Sequence, residues 1–170
     1  SSAASDVYKR QDLQVEGELA VVIGRICKDV PVERAQEAIF GFTVANDVTA
    51  DGDWGADDMI RAKGSDTFCP LGPWMVTHFS VAEAGNVRLR TTVDGTVCQE
   101  SSTSEMIRSV SELVSEISSR LTLLPGDVIL TGTPAGAATV VPRQQVEVEI
   151  EGIGTLVNSV VAGQNAVVEG

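Results

Sequence analysis

The run from Leu13 to Ile23 most restricts what this chain can become. Leu13, Val15, Gly17, Leu19, Val21 and Ile23 fall on one face of an extended chain, and Gln14, Glu16, Glu18, Ala20 and Val22 fall on the other. It reads as one strand ending at Gly24. Gly41 to Ala50 is β-rich in the same way, with Thr43, Ala45, Asp47 and Thr49 on one face. Asp94-Gly95 marks a tight hairpin between Asn86–Thr92 and Thr96–Glu100. Further strands are expected at Asp127 to Thr131, around His78, at Val146 to Glu151, where apolar residues alternate with glutamates, and near Leu156 to Val161.

Helical signals are fewer. Pro31 suits the first position of a helix running to about Ile39, and a short helical turn is expected near Met59 and Ile60. Ser102 and Glu105 form a candidate capping box ahead of the apolar stripe Met106, Ile107, Val110, Leu113, Val114, Ile117 and Leu121. Ser65 to Pro73, with two prolines and a glycine, reads as irregular chain. Many short strands, a few helices and no βαβ rhythm predict an α+β, mainly β domain.

The length of 170 residues suits one domain with a buried core. Lys plus Arg number 12 against 24 Asp plus Glu, a formal charge of −12, which argues against a nucleic-acid groove. No apolar run approaches the roughly 20 residues of a membrane helix, so the chain is expected to be soluble and cytoplasmic. Cys27, Cys69 and Cys98 are widely spaced and read as reduced thiols. Ser1 to Gln11 has no helical or strand period, and Asp6 to Gln11 resembles the read-through translation of a transposon-end sequencing adapter. Residues 1–11 are therefore expected to be a non-native or disordered leader, residues 12–162 the domain, and residues 163–170 a tail.

Glu16 and Glu18 leave the same face of a strand about 7 Å apart, a pairing that suits a hard divalent cation but, taken alone, reads as a solvated strand face. Asp47 has the apolar neighbours Val44, Ala45, Val48 and Ala50, so it must meet a cation or firm hydrogen bonds unless it caps a strand end. Lys63, read alone, is a surface lysine. Gly132-Thr133-Pro134-Ala135-Gly136 follows a buried-looking strand and can aim backbone N–H groups and the Thr133 hydroxyl at an anionic oxygen, or be a plain tight loop. It lacks the lysine of a phosphate-binding P-loop. His78 is the only histidine and Cys69 has no histidine partner, so both read as structural.

In order along the chain, Glu16-Gly17-Glu18-Leu19-Ala20-Val21-Val22-Ile23-Gly24 and Gly41-Phe42-Thr43-Val44-Ala45-Asn46-Asp47-Val48-Thr49-Ala50 come first. Arg61-Ala62-Lys63-Gly64-Ser65-Asp66-Thr67-Phe68-Cys69-Pro70-Leu71-Gly72-Pro73-Trp74, Gly126 to Gly136 and Gly152-Ile153-Gly154-Thr155-Leu156 follow. This series resembles the fumarylacetoacetate hydrolase family. The resemblance implies a β-roll of mixed sheets with a few short helices, a homodimer, and Mg²⁺ or Mn²⁺, with Ca²⁺ also acceptable. It assigns Glu16, Glu18 and Asp47 as metal ligands, Lys63 as the active-site lysine, and Gly132 with Thr133 as substrate contacts. It further implies small anionic substrates, 2-oxo or 1,3-dicarbonyl acids, often from aromatic breakdown, and reaction by C–C hydrolysis, isomerisation or decarboxylation. A cation held by these carboxylates would stabilise the enolate common to all three reactions.

Three departures accompany the resemblance. Asp51 and Trp54 stand where the family usually has an Arg and a Gln that hold substrate, and Pro142-Arg143-Gln144 replaces a Pro-Gly-Asp turn. Hydrolytic members carry a His paired with an acid ahead of the Glu-x-Glu strand, where this chain has only Ser1 to Gln11. The alternatives to an enzyme are a truncated fragment that folds and binds metal without turnover, and a β-rich interaction domain whose acids are solvated.

Overall fold

The computed structural model describes residues 12–51 and 59–162. The leader, the tail and residues 52–58, Trp54 among them, lie outside the described residues.

The Leu13–Ile23 run forms two strands rather than one, β1 (Asp12–Val15) and β2 (Gly17–Ile23), which belong to different sheets. The break falls at Glu16. Its N–H donates to the Asn46 side chain at 3.2 Å and the next N–H, of Gly17, to Gln99 Oε1 at 2.9 Å, so side chains take the place of a strand ladder here. No solvated face runs along β2 either, because all seven of its residues are buried. Apolar residues on both faces, Ala20 and Val22 as well as Leu19, Val21 and Ile23, make it a central strand.

β2 pairs on one side with β3 (Ile39–Asn46) and on the other with β8 (Val128–Leu130), and β5 (Leu71–Val76) lies beyond β3. A second sheet runs β11 (Gly154–Ser159), β10 (Gln145–Ile150), β6 (Arg88–Val93), β7 (Thr96–Ser102). A third sets β1 between β4 (Thr49–Asp51) and β9 (Ala138–Val140). The α+β, mainly β expectation therefore holds. Among the described residues every pairing is antiparallel, where mixed sheets were expected; without βαβ crossovers, hairpins and short returns deliver strands antiparallel. Asp94 and Gly95 both have positive φ, 49° and 78°, as the tight hairpin requires.

The two four-stranded sheets enclose the core: Leu19, Val21, Phe42 and Val44 on one side meet Leu89, Val146, Val148 and Ile150 on the other. Each of these side chains contributes about 1.5–3 kcal/mol by leaving water. The helix α3 (Val110–Arg120) closes one end by adding Val110 and Val114. Its capping box is Ser109 with Glu112, not Ser102 with Glu105. Ser102 instead caps a 3₁₀ turn at Thr103–Glu105, because the Thr103 hydroxyl is bonded to Ala84 O and the Val87 N–H and holds the chain there. Ile107 is consequently outside the stripe and fully exposed.

The segment after Pro31 is a 3₁₀ helix, Val32–Ala38. Two short helices, α1 (Met59–Lys63) and α2 (Val81–Ala84), complete the described set; α1 was expected, whereas α2 and strand β9 were not. Ser65–Pro73 is irregular only as far as Pro70; from Leu71 it is the strand β5, where Pro73 is tolerated because β5 is an edge. His78 lies past the end of that strand, exposed and edge-on to Phe79. No helix among the described residues is long and apolar enough to cross a membrane.

Candidate active site

Four of the residues singled out in the sequence come together where β1 gives way to β2. Glu16 occupies the break, Glu18 is the second residue of β2, Asp47 follows the end of β3, and Lys63 ends α1. The Asp47 N–H donates to Glu16 O at 2.8 Å, which fixes the two acids side by side. Oxygen atoms from Glu16, Glu18 and Asp47 all lie within 4.8 Å of one another, closer than the spacing expected for i and i+2 on a regular strand.

Lys63 Nζ donates to Asp47 Oδ2 at 2.6 Å, to Thr49 Oγ1 at 2.7 Å and to Glu16 Oε2 at 3.4 Å. Burial pulls against its charge, but the hydrogen bond and charge of Asp47, joined by Glu16, win and raise its pKa above the ordinary lysine value. The ammonium is thus fully protonated at neutral pH.

Glu18 is 4% exposed. Burial is the main force that pushes its carboxyl up to about 7; the charges of Asp47 and Glu16 add to the rise, while the Gly132 N–H and Lys63 oppose it. That N–H donates to Glu18 Oε2 at 2.7 Å. Gly132 has φ +96°, a conformation that a side chain would strain, so the glycine is what lets this amide face the carboxylate. The Thr133 hydroxyl donates to Gly17 O at 2.9 Å and accepts from Gln99 Nε2 at 2.8 Å. Both members of the loop thus have protein partners in this structure. Burial first, then the charges of Asp47 and Glu18, raise the pKa of the Cys69 thiol, which disfavours its thiolate form.

Three acids and one lysine leave an excess of negative charge in a largely buried place, which favours a cation. Oxygens that share one ion at roughly 2.0–2.6 Å lie no more than about 4.0–5.2 Å apart. The 4.8 Å limit here fits that range, and carboxylate oxygen is the donor that Mg²⁺, Mn²⁺ or Ca²⁺ prefers.

Sequence reasoning missed Thr49, Asn46 and Gln99. Asn46 and Gln99 are each 1% exposed, and every side-chain hydrogen bond described for them goes to another segment of the chain. The available signal was Gly17: a glycine between two glutamates on a strand marks a close approach, here by Thr91 Oγ1, Val148 Cγ1 and Gln99 Oε1.

Residues 3–161 match the family described as fumarylacetoacetate (FAA) hydrolase C-terminal. The solved 5-carboxymethyl-2-hydroxymuconate delta-isomerase from Mycobacterium smegmatis is 49% identical with a TM-score of 0.82, over 94% of this chain and 62% of that one. Maleylpyruvate hydrolase from Sphingobium sp. SYK-6, solved in complex with manganese(II) and pyruvate, is 30% identical with a TM-score of 0.82, over 91% of this chain and 56% of that one. The 4-hydroxyphenylacetate degradation bifunctional isomerase/decarboxylase of Salmonella dublin is 41% identical over 91% of this chain and 36% of its own length. The chain spans about half the length of the curated relatives it matches. By its matched residues, its fold and these relatives, the chain belongs to the fumarylacetoacetate hydrolase family.

Proposed function

We propose that this chain is the catalytic unit of a divalent-cation enzyme acting on 2-oxo or 1,3-dicarbonyl carboxylic acids, by isomerisation, decarboxylation or C–C hydrolysis, in the breakdown of aromatic compounds. The observation that carries it is the convergence of Glu16, Glu18, Asp47 and Lys63 from distant segments on one place. The relatives' names support the substrate class, and the pyruvate in the Sphingobium enzyme is itself a 2-oxo acid.

Glu16, Glu18 and Asp47 would hold Mg²⁺ or Mn²⁺, with Ca²⁺ also compatible. Such an ion supplies Lewis acidity toward the carbonyl and carboxylate oxygens of a chelating substrate. Lys63 keeps its proton at neutral pH, so its part is to place positive charge beside the oxygen that becomes negative and to return a proton there. The Gly132 N–H steadies Glu18 as an ionised ligand by opposing its burial. Gly132 and Thr133 border the cluster on the Glu18 side and are assigned to the substrate-facing wall. The same reading takes residues 12–162 as the domain, with residues 1–11 and 163–170 outside it, in a cytoplasmic homodimer; light scattering that returns only monomer removes the dimer.

The test is turnover of acylpyruvates and of oxaloacetate with Mg²⁺ and Mn²⁺, followed by loss of enol absorbance. Turnover that EDTA and Glu16→Gln each abolish is the expected result. Turnover that survives EDTA overturns the metal role. Measured Mn²⁺ binding without turnover makes this a domain that binds the ion and does no chemistry alone, and an Asp47→Asn variant with unchanged Mn²⁺ affinity returns the acids to a solvated face.

A further inference from the structure

Gln99, on β7, belongs to the second sheet, yet its side chain reaches the start of β2 in the first. It is 1% exposed and all of its amide hydrogen bonds leave its own sheet. Oε1 accepts from the Gly17 N–H at 2.9 Å, while Nε2 donates to Thr133 Oγ1 and to Pro134 O, each at 2.8 Å. This orientation is the only one that works, since a flipped amide would set NH₂ against the Gly17 N–H and oxygen against the Pro134 carbonyl.

Its partners are informative. Gly17 lies between Glu16 and Glu18, and Thr133-Pro134 follows Gly132, whose N–H holds the Glu18 carboxylate. One amide therefore ties the residue between two of the acids to the loop that binds one of them. The approach is close because residue 17 has no side chain: a Cβ there would collide with Thr91 Oγ1 and meet Val148 Cγ1 at 2.9 Å.

We infer that Gln99 is the positioning residue of the carboxylate cluster: by joining Gly17 to Thr133 and Pro134 it sets the Gly132 N–H on Glu18, and through it the affinity of the cluster for a divalent cation. The inference rests on the proposed function for its cation half only. Gln99 faces none of the three carboxylates in the described hydrogen bonds, so it acts through Gly17 and Gly132 and not as a ligand.

The experiment compares Gln99→Met, an isostere that neither accepts nor donates in this way, with Thr103→Val. Thr103 is also buried, and its hydroxyl also bonds to backbone groups, but these belong to Ala84 and Val87, neither of them in β2 or in the Gly132–Pro134 loop. Thermal melting reports the stability lost by each variant. Two readouts then separate positioning from mere structure: Mn²⁺ affinity by electron paramagnetic resonance, and the amide proton shift and exchange protection of Gly132 in metal-free protein. Gln99→Met is expected to lose about tenfold or more in Mn²⁺ affinity, as outer partners of metal ligands commonly do. It is also expected to lose the downfield, protected Gly132 amide, whereas Thr103→Val keeps both. If Gln99→Met does not fold, Thr133→Val removes one partner of the amide and is expected to show a smaller loss in the same direction.

Retention of Mn²⁺ affinity within twofold together with an unmoved Gly132 amide overturns the inference, as does an equal loss in Thr103→Val. A parent protein that binds no Mn²⁺ overturns the proposed function and the cation half with it, and the Gly132 amide then decides the positioning half on its own.

Discussion

Replacing Glu18 by glutamine is expected to make the metal-free protein more stable at pH 8. Burial, helped by the charges of Asp47 and Glu16 and opposed by the Gly132 N–H and Lys63, lifts this carboxyl from 4.5 to about 7. The folded protein thus holds the proton more tightly than the unfolded chain does. The resulting stabilisation is complete below about pH 4.5 and is lost as the pH rises through about 7. At about 1.4 kcal/mol per pH unit this amounts to roughly 3 kcal/mol between pH 4 and pH 8. Glutamine is neutral throughout and still offers the Gly132 N–H an oxygen. Urea unfolding in EDTA should therefore find Glu18→Gln within about 1 kcal/mol of the parent at pH 5 and roughly 2–3 kcal/mol more stable at pH 8. Mn²⁺ at a thousand times its Kd should reverse the order, because it then adds about 4.1 kcal/mol to a protein that binds it. A variant that is less stable than the parent at pH 8 in EDTA, or that keeps the parent's pH dependence, would refute the reasoning.

Lys63→Met removes an ammonium hydrogen-bonded to the cluster, so turnover is expected to fall at least about a hundredfold while Mn²⁺ binds as tightly as before or tighter, measured by steady-state kinetics and calorimetry. A parallel loss of both would make Lys63 a scaffold residue. Gly17→Ala drives a Cβ into Thr91 Oγ1 and Val148 Cγ1, two side chains of the packed second sheet, and should cost about 1–3 kcal/mol in urea unfolding; a neutral result would mean that β2 and β6 sit further apart than described. Ser109→Ala should cost about 1 kcal/mol and Ser102→Ala less, since Ser109 caps an eleven-residue helix and Ser102 only a single 3₁₀ turn.

Strand content and the acid cluster were legible in the sequence for different reasons. Val146 to Ile150 and the Asp94-Gly95 turn follow local rules, alternation and positive φ, which tertiary structure had no cause to override. The helix cap was different: Ser102-x-x-Glu105 and Ser109-x-x-Glu112 satisfy the same local pattern, and Thr103's bonds to Ala84 and Val87 decide between them. Alternation set Glu16 and Glu18 on one face of a single strand, but it could show neither the break at Glu16 nor the burial of β2, because Ala20 and Val22 are small enough to suit either setting. Gln99 was invisible for a related reason. A glutamine in a strand reads as solvent-facing until the partners that satisfy its amide are known, and they lie 82, 34 and 35 residues away.

The break between β1 and β2 connects these observations. On a regular strand, residues i and i+2 stand about 7 Å apart, too far for their carboxylates to share one small ion without bending toward it. Here the chain leaves one sheet at Val15 and joins another at Gly17, and the Glu16 and Gly17 amides are met by Asn46 and Gln99. Freed from the ladder, Glu16 can turn toward Glu18 and Asp47, bringing oxygens of all three within 4.8 Å. Burying Glu18 there opposes folding, the charges of Asp47 and Glu16 add to that cost, and the rise of the Glu18 carboxyl to about 7 follows from both, burial first. Lys63 offsets part of it through Asp47 and Glu16, and a divalent ion would offset the remainder. With the proposed ion in place, a protein of net charge −12 would still meet an anionic substrate with positive charge, that of the ion and Lys63 rather than that of the surface.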